Sequence, residues 1–448
     1  MFFNKEPQPA EVIPSTLSLE EAGGKVVEQL IISQNNEWIS LFEDAKSGVS
    51  GAYEKCLLVI QQILTEQKIT IKGTDHRDAA VSIFNSYYGL GKLTSLYQDP
   101  EIHEIRVTPK GQVYVIRNGR LDITNIRYAD IEVENLINRL KPINDVGVSL
   151  DESNPTMELV RPDGARLTAL CRPVTEGFCF ALRKPGNLDT KDLMNLQTLD
   201  EKTSKILNLF TRGRRNILIC GGVNSGKTTL LRLLASQLNP NLSIRVLDID
   251  NELKLAQLHP DREIWELEAH PEVGADMKNL FTKILRITPD VIIVPEFRGL
   301  GEVWVTIEAC TRGHDGSMAT AHFSSFSSPE EAVRNTAMLA IQEGAQLPLD
   351  LVIERVAQAF QIIIQTFSDA RNGIKKITSI TEVLVENGDI IYKPLVEWQP
   401  YTDDYTGPGE WKILNPPSNR CIAGMRVYGV TLPEIQEVFG VKGGDLTV

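Results

Sequence analysis

The sequence predicts an α/β protein of more than one domain, and three observations carry that prediction. The chain has 448 residues, about three times a typical domain length of ~150 residues. Between 216 and 395 apolar strand-like runs alternate with helical ones, the pattern of a mainly parallel sheet covered on both faces. Ahead of that stretch, short strand-like runs are split by hairpin turns, as in a mixed α+β domain. With 42% hydrophobic and 23% charged residues, the chain can bury a sizeable core and is neither fibrous nor disordered in bulk.

Taken in order, residues 1–24 are rich in Pro, Glu and Ser and read as a loosely ordered lead. Residues 25–88 read as helical, with Leu57, Leu58, Ile60, Ile63 and Leu64 crowded together. Strands are expected at 102–108, 113–117 and 120–126, separated by Pro109-Lys110-Gly111 and by the hairpin signal Asn118-Gly119. A helix fits 131–140, because Val133, Leu136, Ile137 and Leu140 share one face. Strands at 156–160 and 166–174 flank Pro162-Asp163-Gly164, and another is expected at 178–184. Pro185-Gly186-Asn187 begins a linker. Beyond it, strands are expected at 216–220, 243–249 and 290–294, with helices at 229–238 and 276–287. Hairpins follow at 362–367, 375–385 and 389–395, joined at Asn372-Gly373 and Asn387-Gly388. The tail after Trp398 carries Pro400, Pro408, Pro416 and Pro417 and reads as loop-rich, with a short helix at 433–439. The expected domains are 1–95, 96–185, 186–398 and a tail, 399–448.

Composition excludes several classes. The net charge of −13 argues against a protein that coats nucleic-acid backbones. Six cysteines without a C-x-x-C pair argue against a disulfide framework or a four-cysteine zinc site and fit a reducing compartment. No apolar run approaches the ~20 residues that span a bilayer. The opening MFFNKEPQPAEVIP is too charged and proline-rich for a signal peptide. A soluble, cytoplasmic chain is expected.

The sharpest motif is Gly221-Gly222-Val223-Asn224-Ser225-Gly226-Lys227-Thr228-Thr229, a match to G-x-x-x-x-G-K-[ST] between a strand and a helix. Its glycines let backbone N–H groups wrap a phosphate chain, and the helix N-terminus adds partial positive charge. Lys227 supplies a point charge for the outer phosphates, and the Thr228 hydroxyl suits Mg²⁺. Downstream, PDVIIVPEF is an apolar strand ending in Glu296, a carboxylate placed to polarise a water for in-line attack. Asp248, Asp250 and Glu252 form a second acidic cluster, which helix capping would explain equally well. His314 and His322 lie in TRGHDGSMATAH. A zinc site would need further ligands and only Asp315 is near, so a polar contact with a γ-phosphate or a neighbouring subunit is favoured over a metal.

Together these residues resemble the ATPases of type II and type IV secretion systems and type IV pili, above all the conjugation/type IV secretion and tight-adherence pilus branch. GGVNSGKTT, the acidic box 248–253, PDVIIVPEFRG and RGHDGSMATAH carry the resemblance in order, with DPEIHEIRV, VYVIRNGRL, RPDGARLTAL and FALRKPG before them. The resemblance implies a RecA-like P-loop motor domain, a preceding PAS-like α+β N-domain and an N-terminal helical module. It implies ATP and Mg²⁺ as ligands, with Glu296 as the catalytic carboxylate and Glu252 and His322 near the γ-phosphate. Arg166 and Arg183 would be the arginines that the N-domain presents to nucleotide, suited to it by their planar, permanently charged forks. It also implies a homo-oligomer, usually a hexamer, working with platform or channel proteins at the cytoplasmic face of the inner membrane. No direct nucleic-acid partner is expected.

Departures from the family pattern mark a divergent member. The acidic box is shorter, Pro295 stands where glycine usually precedes the glutamate, and Asn224 replaces a common P-loop glycine. Two other readings stay open: a P-loop motor acting directly on DNA, for which only Arg212-Gly213-Arg214-Arg215 is a compact basic cluster, and a non-hydrolysing ATP-binding assembly subunit.

Overall fold

The computed structural model describes residues 15–33, 35–46, 51–71, 73–141, 149–161, 164–184, 190–248, 253–324, 327–369 and 372–440. The chain packs as two units, Met1–Gly186 and Asn187–Val448. The expected linker at 185–187 lies outside the described residues, as does the lead up to residue 14.

In the first unit, four helices, Leu19–Ser33, Asn36–Lys46, Ala52–Glu66 and His76–Tyr87, enclose a small core of Val26, Phe42, Cys56, Ile60, Ile63, Leu64 and Ile83. Two short strands, Ser15–Leu17 and Ile69–Ile71, pair in parallel beside them. Order therefore begins earlier than the composition of residues 1–24 implies. Ser18 and Glu21 form a reciprocal cap, Ser18 N donating to Glu21 Oε2 at 2.9 Å and Glu21 N to Ser18 Oγ at 3.3 Å. Ala22, Val26 and Leu30 then recur every fourth residue and face the core.

The same unit holds a six-stranded sheet, every neighbouring pair antiparallel. Its order is Arg120–Arg127, Gln112–Arg117, Ile102–Val107, Cys179–Arg183, Arg166–Leu170, Thr156–Val160. The Asn118-Gly119 turn takes φ of 47° and 82°, the two left-handed residues of a type I′ hairpin. Helix Asp130–Leu140 covers the sheet with Val133, Leu136, Ile137 and Leu140, all buried. The strand expected at 166–174 stops at Leu170. Val174 N and Thr175 N turn back onto Cys171 O, and Pro173 has no N–H for a ladder.

The second unit is built on a nine-stranded sheet among the described residues. Six strands run parallel, in the order Ile264–Glu268, Ile244–Asp248, Val291–Phe297, Met318–His322, Ile217–Gly221, Ile362–Asp369. Ile374–Glu386, Asp389–Pro400 and Gly409–Ile413 extend it antiparallel. Strand residues alternate between two buried faces. Ile217 and Ile219 pack with helices Glu201–Arg212 and Lys227–Ser236. Leu218 and Cys220 pack with Met277–Ile284, Glu302–Cys310, Pro329–Gln342 and Leu349–Ala359. None of the described helices is long and apolar enough to cross a membrane.

The loop-rich reading of the tail after Trp398 is corrected. Gly409–Ile413 is a strand, and helices Asn419–Val427 and Leu432–Phe439 bring Cys421, Ile422, Met425, Ile435 and Phe439 into the same core as the P-loop helix. Pro400, Pro416 and Pro417 sit at or just outside element ends, where a missing N–H costs little. Ser418 caps the first of these helices, accepting from Cys421 N at 3.1 Å. Buried Glu382 accepts from Ser418 N at 2.7 Å and from its hydroxyl. Because Ile422 is fully buried, Ile422→Ala is expected to lower stability by about 2–4 kcal/mol. Denaturant unfolding checks this, and wild-type stability would show that the tail is no part of the core.

Candidate active site

Parallel strands put their C-terminal ends on one edge, where ligand loops collect. At that edge strand Ile217–Gly221 turns into helix Lys227–Ser236 through the glycine-rich loop. A β-carbon at Gly221 would lie 2.3 Å from Thr366 Oγ1 and 2.4 Å from Thr366 O, so only glycine fits. Gly226 has φ of 88°, a left-handed conformation that costs glycine least. Asn224 has φ of 60°, and asparagine is among the few side chains that tolerate it. The replacement of a P-loop glycine therefore preserves the loop. The neighbouring strand braces it: Thr366 donates to Cys220 O at 3.1 Å, Ser225 donates to Thr366 Oγ1 at 2.8 Å, and Ser368 donates to Val223 O at 3.3 Å.

Lys227 is almost fully buried. Its ammonium donates to Gly221 O at 3.0 Å, Gly222 O at 2.7 Å and His322 Nδ1 at 3.0 Å. An ammonium has no acceptor, so Nδ1 accepts and the ring proton sits on Nε2. Nε2 in turn donates to Glu296 Oε1 at 2.9 Å. The other carboxylate oxygen takes Arg298 Nε at 3.0 Å and Nη2 at 2.9 Å. A continuous polar line thus runs from the P-loop through Lys227, His322 and Glu296 to Arg298.

Two local features aim Glu296. Strand Val291–Phe297 slips register against Met318–His322 between Val294 and Phe297, a bulge that re-aims the side chain beside it. Pro295 occupies the slip and has no N–H for the ladder, while its carbonyl accepts from Thr320 Oγ1 at 2.5 Å. Burial alone would raise the Glu296 carboxyl. The hydrogen bonds from His322 and Arg298, together with the Arg298 charge, outweigh it and hold Glu296 at about 2, below its ordinary 4.5.

The histidine motif is not a polar loop throughout. Met318–His322 is a strand, buried through Ala321 and exposed at His322, lying between the P-loop strand and the Glu296 strand. It separates the two histidines: His322 pairs in register with Gly221, while His314 precedes the strand, its Nδ1 2.9 Å from Pro289 O. A shared metal is thereby ruled out for this pair, and no cluster of metal-binding side chains occurs among the described residues. Buried Asn216 fixes the loop before the strand, its Oδ1 accepting from Gly316 N at 2.8 Å and Ser317 N at 3.0 Å.

Of the remaining expected residues, Thr228 and Thr229 are half-buried in the first turn of the P-loop helix, and Val223 is exposed at the loop tip. Asp248 is buried at the end of its strand, whereas Asp250 and Glu252 lie outside the described residues. In the first unit Arg166 and Arg183 face each other in register on adjacent strands. Sequence reasoning gave Arg298 no role; it stands two residues after Glu296, just past the end of strand Val291–Phe297.

The Glu296 shift carries a pH signature. Its contribution to stability is present above the unfolded value of 4.5 and is lost as pH falls toward about 2. Glu296→Gln is expected to flatten the acid side of the stability curve in that window, as followed by chemical unfolding at each pH. Identical acid limbs in wild type and variant would contradict the pairing.

Residues 89–378, more than half of the chain, match the family described as Type II/IV secretion system protein. A Mycobacterium tuberculosis protein provisionally named a conjugal transfer protein is 28% identical over 315 residues, covering 67% of this chain and 86% of its own length. The type IV secretion system protein VirB11 of Brucella suis is 23% identical over 320 residues, covering 64% of this chain and 86% of its own. Among solved structures, the ATPase DotB of Legionella pneumophila aligns at 15% identity and a TM-score of 0.45, over 78% of this chain and 85% of that one. At that TM-score the assignment rests on the sequence match. The chain belongs to the type II/IV secretion system protein family, and its second unit is an α/β domain carrying the P-loop.

Proposed function

We propose that the chain is an oligomeric, most simply hexameric, ATPase that powers a type IV secretion, conjugation or pilus-like machine from the cytoplasmic face of the inner membrane. The observation that carries the catalytic part is the hydrogen-bonded line Lys227–His322–Glu296 at the ends of three adjacent parallel strands. The loop backbone and the start of helix Lys227–Ser236 form a cradle for the triphosphate. All three ammonium hydrogens of Lys227 already have protein acceptors. To bind a phosphate oxygen it exchanges one of them, and His322 relays that exchange to Glu296. Glu296, ionised and aimed by the bulge, orients the attacking water and takes up its proton. The Thr228 hydroxyl would hold Mg²⁺, which would supply charge neutralisation there. Arg166 and Arg183 are proposed as guanidinium donors to the phosphates, and Glu252 as a further acidic contributor. Platform or channel proteins of the machine would transmit the stroke.

The reading as a DNA motor is weakened at its basic cluster. Arg212 is paired with Glu434 at 2.8 Å. Arg214 donates to Asp315 O at 2.9 Å and Asp290 O at 2.6 Å and stacks on Tyr428. Both are engaged within the protein.

Lys227→Ala and Glu296→Gln are each expected to lower ATP turnover by about 10²–10⁴-fold, and only the lysine variant to weaken ATP binding strongly. A coupled phosphate-release assay and nucleotide titration check both. Wild-type turnover in Glu296→Gln contradicts the catalytic assignment, and ATP binding without turnover in the wild type favours an assembly subunit.

A further inference from the structure

The segment after Glu296, Phe297-Arg298-Gly299-Leu300-Gly301-Glu302-Val303-Trp304, is wrapped around two of the protein's own carboxylates. Glu302 is fully buried and accepts from the backbone N–H groups of Arg298, of Gly299 at 2.7 Å and of Leu300 at 3.0 Å. Glu343, just past helix Pro329–Gln342, accepts from Gly301 N at 2.9 Å, Val303 N at 3.1 Å and Trp304 N at 2.9 Å. Six backbone donors in one short stretch are thus held by two side chains. Gly299 at φ 80° and Gly301 at φ 113° supply the left-handed turns that this wrapping needs. Charged hydrogen bonds of this kind are stronger than neutral ones, and burial stiffens them further. Such a segment is a rigid mount, far from a loose loop.

What the mount carries is the Arg298 guanidinium, two of whose nitrogens grip Glu296 Oε2. Glu296 is therefore fixed from both sides, by His322 on one oxygen and Arg298 on the other. We infer that Arg298 is a positioning residue for the Glu296 carboxylate, acting through Glu296 without touching the phosphates, and that Glu302 and Glu343 set its position. This rests on the ATPase reading above and deepens it. A misplaced catalytic group can lose about 10²-fold in rate without loss of substrate affinity, and that separation distinguishes the role from phosphate binding.

The test uses the full chain with Arg298→Ala, Arg298→Lys and Glu343→Gln, measuring kcat, KM and the Kd for ATP. Arg298→Ala is expected to lower kcat by about 10–100-fold while the Kd stays within about twofold of wild type. Arg298→Lys, which keeps the charge and loses the fork, recovers part of the loss. Glu343→Gln, which sets an amide N–H₂ against backbone donors, lowers kcat in the same sense with the Kd unchanged. Wild-type kcat in Arg298→Ala overturns this inference alone. A large rise in Kd in that variant also overturns it, by placing Arg298 on the phosphates. Absence of turnover in the wild type overturns the ATPase reading, and this inference with it.

Discussion

The candidate site depends on the strand Met318–His322 running parallel between the P-loop strand and the Glu296 strand. Its ladder to Ile217–Gly221 sets His322 opposite Gly221. Its ladder to Val291–Phe297 breaks at Pro295 and turns Glu296 toward the histidine. Because a strand's side chains alternate faces, a one-residue slip of this strand would send His322 to the other side of the sheet and cut the line. Asn216 and the Pro289 carbonyl hold the loop that enters the strand, so the register is fixed before the chain reaches the site.

Much of this was legible locally. A P-loop is largely a short-range object: Asn224 and Gly226 answer to backbone conformations within nine residues, and only the need for Gly221 comes from the distant Thr366. The hairpin at Asn118-Gly119 and the buried face of helix Asp130–Leu140 were legible for the same reason. The strand Met318–His322 was not. MATAH holds two alanines and a threonine, a composition without a strong strand preference, and its extension is imposed by two neighbours distant in sequence. Of the two C-terminal helices, Leu432–Phe439 was expected within one residue, whereas Asn419–Val427 was hidden differently. Prolines suggested a loop there, yet the cap at Ser418 and the apolar spacing of Cys421, Ile422 and Met425 were present in the sequence and outweighed them.

Two of the departures that mark this chain as divergent, Asn224 and Pro295, turn out to be conservative in physical terms. Asn224 occupies a left-handed conformation that asparagine tolerates. Pro295 gives up a ladder donor where the ladder is already broken. Neither removes a group from the line between Lys227 and Glu296. The carboxylates of buried Glu302 and half-buried Glu343 brace the stretch behind Glu296 as the ladder braces the stretch before it.

The central claim is that His322 and Glu296 act as one unit, and a double-mutant cycle in ATP turnover tests it most directly. Groups that act together lose their effects non-additively. The account predicts that the variant carrying both His322→Gln and Glu296→Gln turns over no more slowly than Glu296→Gln alone. Single losses that multiply in the double variant would contradict it.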